Sequence, residues 1–85
     1  MIELQITVKD PQGIHARPAG RITSALLGYE SFVTLWKGEK DYDVKKLLSF
    51  MGSELKCGEQ VVIRVEGPDE EKCAEAVKQL FDENL

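Results

Sequence analysis

The segment Gly13-Ile14-His15-Ala16-Arg17-Pro18-Ala19 joins a turn to the first predicted helix and sets the order of the elements around it. Proline is tolerated in a helix only in the first turn, where its missing N–H group leaves no hydrogen bond unmade. Pro18 therefore predicts a helix that begins at about residues 15–17, with His15 at its N-terminal end. The preceding segment Asp10–Gly13 combines proline with glycine, which is typical of a tight turn.

The regions on either side of this turn have clear periodicities. On the N-terminal side, a strand with one apolar and one wet face is predicted by the alternation of Ile2, Leu4, Ile6 and Val8 with Glu3, Gln5 and Thr7. On the C-terminal side, helical spacing continues through Ala19, Ile22, Leu26 and Tyr29. Gly28 is a plausible stop for this helix.

The rest of the chain continues to alternate between strand and helix patterns. The predicted elements are strands at Ser31–Lys37, Lys40–Asp43 and Gln60–Glu66, and helices at Lys45–Met51 and from Asp69 onward. Gly38 predicts a hairpin between the first two of these strands, which makes the sheet at least partly antiparallel. The last helix has acidic residues in its first turn, and its apolar stripe comprises Cys73, Val77, Leu80 and Phe81.

The resulting order, β-α-β-β-α-β-α, predicts an α+β fold in which one sheet carries its helices on one face. The chain has 85 residues and no repeat, linker or low-complexity segment, so we expect one domain over residues 1–85. A chain of this length buries only ~60–65% of the surface that its unfolded form exposes. An elaborate catalytic cavity or a separate cofactor domain is therefore not expected.

The composition narrows the classes of function. Eleven Lys and Arg against fifteen Asp and Glu give a net charge of −4, and the longest basic block is Lys45-Lys46, which disfavours nucleic-acid binding. No apolar run approaches the ~20 residues of a membrane span, so we expect a cytoplasmic protein without membrane insertion. One histidine with Cys57 and Cys73 cannot form a zinc site. We expect both thiols to be reduced and structural, with a reactive Cys57 as the alternative.

The residues around His15 are suited to phosphoryl chemistry. The first N–H groups of a helix lack intrahelical partners and carry partial positive charge, which favours an anion. Arg17 adds a forked, permanently charged donor for phosphate oxygens, and the His15 imidazole is a nucleophile. A transient phosphoryl group would need these features together. On these residues alone, a surface or capping histidine beside a solvated arginine stays open as the alternative.

The segment Gly13–Ala19 resembles the active-site signature of HPr, the family of histidine-containing phosphocarriers in the bacterial sugar phosphotransferase system. The likeness covers essentially the whole chain, because the Gly38 hairpin, the Lys45–Met51 helix and the loop Lys56–Glu59 also stand where HPr proteins have them. The resemblance implies an HPr-like open-faced β-sandwich, in which three helices cover a four-stranded antiparallel sheet of order 1-4-2-3.

The resemblance also implies roles for individual residues. A histidine of the family, here His15, accepts a phosphoryl group on Nδ1 from Enzyme I, which phosphoenolpyruvate charges, and passes it to sugar-specific IIA domains. The family's carrier is not an enzyme and holds no metal or organic cofactor. We expect a monomer with Enzyme I, IIA domains and regulatory proteins as partners. The implied phosphate-binding residues are Gly13, Ala16, Arg17 and Pro18, and the implied docking residues are Gly20, Arg21, Leu47, Leu48 and Met51.

The short second helix carries more apolar side chains than a core can accept. Leu47, Leu48, Phe50 and Met51 fall within five residues, and at helical spacing they cannot all face inward. We expect Phe50 in the core and some of its neighbours on the surface, where exposed apolar groups often mark a site of partner binding.

Three positions depart from the family pattern. In an ungapped alignment, the regulatory serine that many Gram-positive HPr proteins carry is Lys46 here, with Ser49 and Ser53 nearby. Gln12 replaces a small polar residue of the turn, and Glu54 stands where the family often has a glycine that ends the second helix. These departures indicate either a divergent paralogue or a carrier without serine-based regulation.

Two other functions fit parts of the pattern. The first is a regulatory module that docks through the Leu47 region and uses His15 phosphorylation as a signal rather than a relay. The presence of both His15 and Arg17 favours the relay, because docking alone needs neither. The second is an unrelated sandwich that binds RNA, which the acidic composition and the lack of an aromatic-rich RNA-binding strand disfavour.

Overall fold

Four strands form one antiparallel sheet of order β1-β4-β2-β3 in the computed structural model, which describes residues 1–85. The strands are β1 (Ile2–Thr7), β2 (Phe32–Lys37), β3 (Lys40–Asp43) and β4 (Gln60–Glu66). β4 is central, since Leu4 of β1 and Leu35 of β2 both pair with Ile63. The α+β fold expected from the element order and the sheet order implied by the resemblance are both confirmed.

Three helices pack on the apolar face of the sheet: α1 (Ala16–Leu26), α2 (Leu47–Met51) and α3 (Glu70–Asn84). Alternate strand residues share one buried cluster with residues of all three helices, among them Val33, Leu35, Ile63, Val65, Ala19, Ile22, Leu26, Phe50, Val77 and Phe81. Each fully buried Leu, Ile or Phe contributes roughly 1.5–3 kcal/mol through removal from water. On the opposite face Phe32 is exposed, and the Arg64 guanidinium lies 4.5 Å from the centre of the Trp36 ring.

The second helix begins later than predicted. It starts at Leu47 rather than at Lys45, because Lys46 is extended at the N-cap, with φ −113° and ψ 113°. The Lys45 N–H group instead donates to the Asp43 carboxylate at 2.9 Å, in a turn that precedes the helix. An aspartate two residues before the donating amide is typical of an Asx turn.

The first helix ends earlier than its periodicity suggests. Its last residue is Leu26, so Tyr29 lies outside the helix, although it still packs against the core. Gly28 follows the helix as expected but has no positive φ, so it does not act through the left-handed conformation of a glycine stop. The helix start at Ala16, one residue after His15, agrees with the prediction.

Asp69 connects the start of α3 to the start of β2. Ser31, which was expected inside the strand, precedes it, and its N–H and hydroxyl groups both donate to Asp69 Oδ1. The N–H group of Glu30 donates to Oδ2 at 2.9 Å. The Ser31 hydroxyl, followed by these backbone amides, lowers the pKa of Asp69. The Asp69 carboxylate at the N-cap of α3 therefore accepts hydrogen bonds from the segment before β2 and caps no amide of its own helix.

The turn before α1 is held against the segment that follows α2. Gly13 has φ 67°, and the next residue, Ile14, donates its N–H group to the Leu55 carbonyl at 2.9 Å. A Cβ atom on residue 13 would lie 2.1 Å from the Leu55 carbonyl oxygen, and this clash excludes every side chain at the position. Only glycine therefore satisfies both the left-handed backbone and the close approach.

Glu54 is the one residue other than glycine with a positive φ, at 51°. It occupies the position where the HPr pattern often has glycine, so this chain keeps a left-handed turn after α2 without the residue that suits it. The strain costs about 1 kcal/mol for a residue with a Cβ atom. None of the three helices combines the length and the apolar character that a bilayer-spanning helix requires.

Replacement of Gly13 by Ala should lower the free energy of unfolding by about 3 kcal/mol or more, because the new Cβ meets backbone atoms that cannot move aside. Gly38→Ala is the matched control, since Gly38 has φ 65° but no atom within 4 Å of the added Cβ. It should cost only about 1 kcal/mol. Urea unfolding of both variants measures the difference, and equal losses would contradict the close approach at Gly13.

Candidate functional site

His15 lies at the surface, at the N-cap of α1. Its backbone is extended, with φ −146° and ψ 169°, and its carbonyl accepts the Ala19 N–H group at 3.1 Å. Its side chain makes no capping hydrogen bond and is 42% exposed. The ring nitrogens are therefore free of the helix backbone and accessible to another molecule.

Two backbone N–H groups beside His15 have no partner within the chain. Ala16 and Arg17 donate no hydrogen bond, Pro18 has no N–H group, and Ala19 donates to the His15 carbonyl. Unpaired amides at a helix start carry partial positive charge and bind anions. The helix start can therefore stabilise an anionic group attached to the neighbouring imidazole.

Two residues of the predicted phosphate-binding segment are buried and two are exposed. Gly13 and Pro18 are buried and anchor the turn and the first helical turn, whereas Ala16 and Arg17 are exposed. None of the ion pairs in the structure involves Arg17. Its guanidinium is thus uncommitted and lies two residues from His15 at the same helix end.

Asp10 is the carboxylate that pairs with His15, an interaction that sequence reasoning missed. Its Oδ2 atom lies 3.8 Å from Nε2 of the ring, and its Oδ1 atom accepts the Gln12 N–H group at 2.8 Å. In the sequence, Asp10 is recognisable only as a turn residue. Its position two residues before Gln12 is the signal of an Asx turn, which orients the carboxylate.

The segment after α2 forms a rigid support behind Gly13. Glu59 accepts the Lys56 N–H group at 2.7 Å and pairs with the Lys37 ammonium at 3.2 Å. The Lys56 amide, and after it the Lys37 side chain, lower the pKa of Glu59 against the opposing effect of desolvation. Lys37 also donates to the Ser53 carbonyl at 3.1 Å, so one lysine holds both ends of this segment.

The two cysteines form no disulfide in the structure, and only Cys73 has the buried position of a structural cysteine. Cys73 lies in the core under α3, where burial raises the pKa of its thiol and keeps it protonated. Cys57 is exposed in the loop beside the N-terminal turn, with its sulfur 3.6 Å from the Lys9 carbonyl oxygen. A reactive role for Cys57 stays the alternative prediction.

The apolar residues of α2 divide as expected between core and surface. Phe50 is fully buried, while Leu47 is 39% and Leu48 89% exposed. Met51 is half-buried and packs against the core. We call Leu47, Leu48 and Met51 the α2 surface.

The α2 surface is structurally coupled to α1. The two helices are in contact, and the Thr23 hydroxyl of α1 donates to the Val44 carbonyl, ahead of α2, at 2.8 Å. Of the two α1 residues expected in docking, Arg21 is exposed and Gly20 is half-buried with open space above it. A partner that contacts α1 could therefore contact α2 at the same time.

The site is an open surface and not a cavity. A groove of about 740 Å³ lies elsewhere, between β1 and α3, and is lined by residues such as Gln5, Thr7 and Lys78. No group of three or more His, Cys, Asp and Glu side chains is arranged to hold a metal ion. An exposed histidine on such a surface is suited to direct contact with another protein.

Residues 2–83 match the family model described as the PTS HPr component phosphorylation site. The chain is 40% identical over 79 residues to the phosphocarrier protein HPr of Lysinibacillus sphaericus, covering 93% of this chain and 90% of that protein. It is 32% identical over 85 residues to the HPr of Mycoplasma pneumoniae, covering 99% and 97% of the two chains.

A solved structure has the same fold. The histidine-containing phosphocarrier protein of Mycoplasma superposes with a TM-score of 0.91 at 26% sequence identity, covering 96% of this chain and 93% of that one. The agreement extends over nearly the whole of both chains, so the two proteins share one fold.

Proposed function

The chain belongs to the HPr family of phosphocarriers of the phosphotransferase system, and we propose that His15 is the residue that carries the phosphoryl group. Proteins of this family are carriers and not catalysts. The observation that carries the proposal is the placement of the only histidine at the N-cap of α1, with an uncapped ring beside the unpaired amides of Ala16 and Arg17.

Arg17 supports the phosphoryl group in this proposal. A phosphoryl group on the ring carries about two negative charges near neutral pH. The Arg17 guanidinium has no competing ion pair, and its forked donors match phosphate oxygens. Together with the two free amides, it stabilises negative charge close to the surface while leaving the group open to the next protein.

The family implies Enzyme I and IIA domains as partners. We propose that this chain accepts the phosphoryl group from phosphorylated Enzyme I and passes it to IIA domains for sugar uptake. Arg21, Gly20 and the α2 surface would form the docking area around His15. A single copy holds the ring, the arginine and this area together, which supports a monomeric carrier formed by one domain over residues 1–85. The location that we propose for it is the cytoplasm.

Serine-based regulation is absent in the carrier that we propose. Lys46 occupies the position of the regulatory serine, at the N-cap of α2, and offers no hydroxyl. The two nearby serines are already engaged: Ser49 accepts the Asp43 N–H group at 2.9 Å, and buried Ser53 donates to the Phe50 carbonyl at 2.6 Å. A kinase would have to break these contacts to modify either one.

Replacement of His15 by Ala should abolish phosphoryl acceptance without unfolding the protein, because the side chain is outside the core. The assay incubates each protein with phosphoenolpyruvate and Enzyme I and measures intact mass. The natural sequence should gain one acid-labile phosphoryl group and the variant none. Labelling of a folded His15→Ala protein would refute the assignment.

Replacement of Leu48 by Asp should raise the apparent KM of Enzyme I for the carrier about tenfold, because docking would desolvate a charge. Its stability should barely change, since Leu48 is 89% exposed. Phe32→Asp is the matched control: it also charges an exposed apolar residue, 75% accessible, but on the open face of the sheet. Equal KM values for the two variants would exclude docking through α2.

Incubation with HPr kinase and ATP should leave this chain unmodified. The Lys46→Ser variant provides the matched test, because it restores a hydroxyl at the start of α2 and should become a substrate. Acid-stable phosphoserine is mapped by peptide mass measurement in both proteins. Stoichiometric modification of the natural sequence at Ser49 or Ser53 would show that regulation persists at a shifted site.

A further inference from the structure

We propose that Asp10 is a positioning residue that keeps the proton of the His15 ring on Nε2 and thereby leaves the lone pair of Nδ1 for the phosphoryl group. The inference rests on the proposed function of His15. It assigns a task to a turn residue that lies outside the Gly13–Ala19 segment and outside α1.

The two carboxylate oxygens of Asp10 have different surroundings. Oδ1 accepts the Gln12 N–H group at 2.8 Å, which fixes the rotation of the carboxylate. Oδ2 is left on the side of His15, 3.8 Å from Nε2. Because Oδ1 is hydrogen-bonded within the turn, Oδ2 stays on the side of His15 as long as the Gln12 hydrogen bond is kept.

The backbone of Asp10 is held as firmly as its side chain. Its carbonyl accepts the Gly13 N–H group at 2.9 Å, and its own N–H group donates to the Leu85 carbonyl at 2.7 Å. The neighbouring Lys9 ammonium pairs with Asp82, so it does not neutralise Asp10. The carboxylate side chain is only 29% exposed. Asp10 therefore presents a fixed negative charge to the ring.

A fixed carboxylate decides which nitrogen of a neutral imidazole carries the proton. An ionised carboxylate can only accept a hydrogen bond, so it stabilises the form in which the facing nitrogen is N–H. Here that nitrogen is Nε2, and Nδ1 keeps its lone pair. The 3.8 Å separation exceeds a hydrogen bond, but the ring of His15 is exposed, and such contacts tighten when substrate binds.

The same charge assists the transfer step. The Nδ1 lone pair forms the new bond to phosphorus, while the bond between phosphorus and the donor atom breaks and its electron pair stays with the donor. The Nε2 proton remains in place, so the phosphorylated ring becomes cationic. Asp10 Oδ2 faces the nitrogen at which that positive charge develops, and Arg17 and the helix amides serve the phosphoryl oxygens.

The Asp10→Asn variant separates this role from the role of Asp10 in the turn. The amide oxygen can keep the Gln12 hydrogen bond, which turns the NH2 group toward His15. A donor facing Nε2 stabilises the opposite tautomer, with the proton on Nδ1, where it blocks attack. Asp41→Asn is the matched control, because it removes the same charge from an exposed site on β3.

The experiment uses protein labelled with ¹⁵N in the ring of its single histidine, so the tautomer populations are read by NMR without ambiguity. The natural sequence and Asp41→Asn should hold the proton mainly on Nε2, and Asp10→Asn should shift it toward Nδ1. Single-turnover phosphoryl acceptance from Enzyme I at saturating concentration should fall about two- to fivefold in Asp10→Asn, the effect of losing an exposed charge pair.

The possible results separate the inference from the proposed function. An unchanged tautomer in Asp10→Asn, with or without slower transfer, would mean that Asp10 only shapes the turn. Failure of the natural sequence to be phosphorylated at His15 would refute the proposed function, while the NMR measurement would still test Asp10. Should Asp10→Asn unfold, Asp10→Ser is measured in the same way, because a hydroxyl can also accept the Gln12 N–H group.

Discussion

The hydrogen bond from the Ile14 amide to the Leu55 carbonyl, 2.9 Å long, sets the geometry of the functional surface. It brings the turn before α1 onto the segment after α2, and it exists only because residue 13 has no side chain to fill the gap. It adds to the hydrogen bonds from Asp10 to Leu85 and from Gly58 to Val8, which hold the chain just before the turn. The bond ties the turn that precedes His15 to the segment that follows α2, as the proposed docking around His15 requires.

The core residues and the proposed functional residues lie on different faces of the same helices. In α1, Ile22 and Leu26 are buried, whereas Ala16, Arg17 and Arg21 are exposed. In α2, Phe50 alone enters the core, and the helix is too short for its hydrogen bonds to stabilise it independently. The exposed leucines thus depend for their position on buried Phe50 and on Met51, which packs against the core, while their own replacement leaves the core unchanged.

Local patterns explain why most of the fold, and the place of His15 at the start of α1, could be predicted from the sequence. Contacts between distant residues explain what could not. Strand alternation and the place of Pro18 are properties of neighbouring residues, so the sheet and the start of α1 are readable in the sequence. The Asp69 contact with Ser31 joins residues 38 positions apart, and no local pattern signals it. The left-handed Glu54 and the His15 contact of Asp10 depend on backbone conformations that composition does not reveal.

The charge distribution explains how a protein with a net negative charge can carry an anionic phosphoryl group. The net charge is −4, yet neither α1 nor α2 contains an acidic residue, and Arg17, Arg21 and Lys46 are all exposed along or just before them. Acidic residues are concentrated in α3. Two of them, Glu70 and Glu71, lie in its first turn, where their negative charge interacts favourably with the positive end of the helix dipole. Lys46 opposes the dipole of α2, at a cost of roughly 0.3–1 kcal/mol. A carboxylate on the proposed partner would offset this cost by pairing with the Lys46 ammonium at the start of α2.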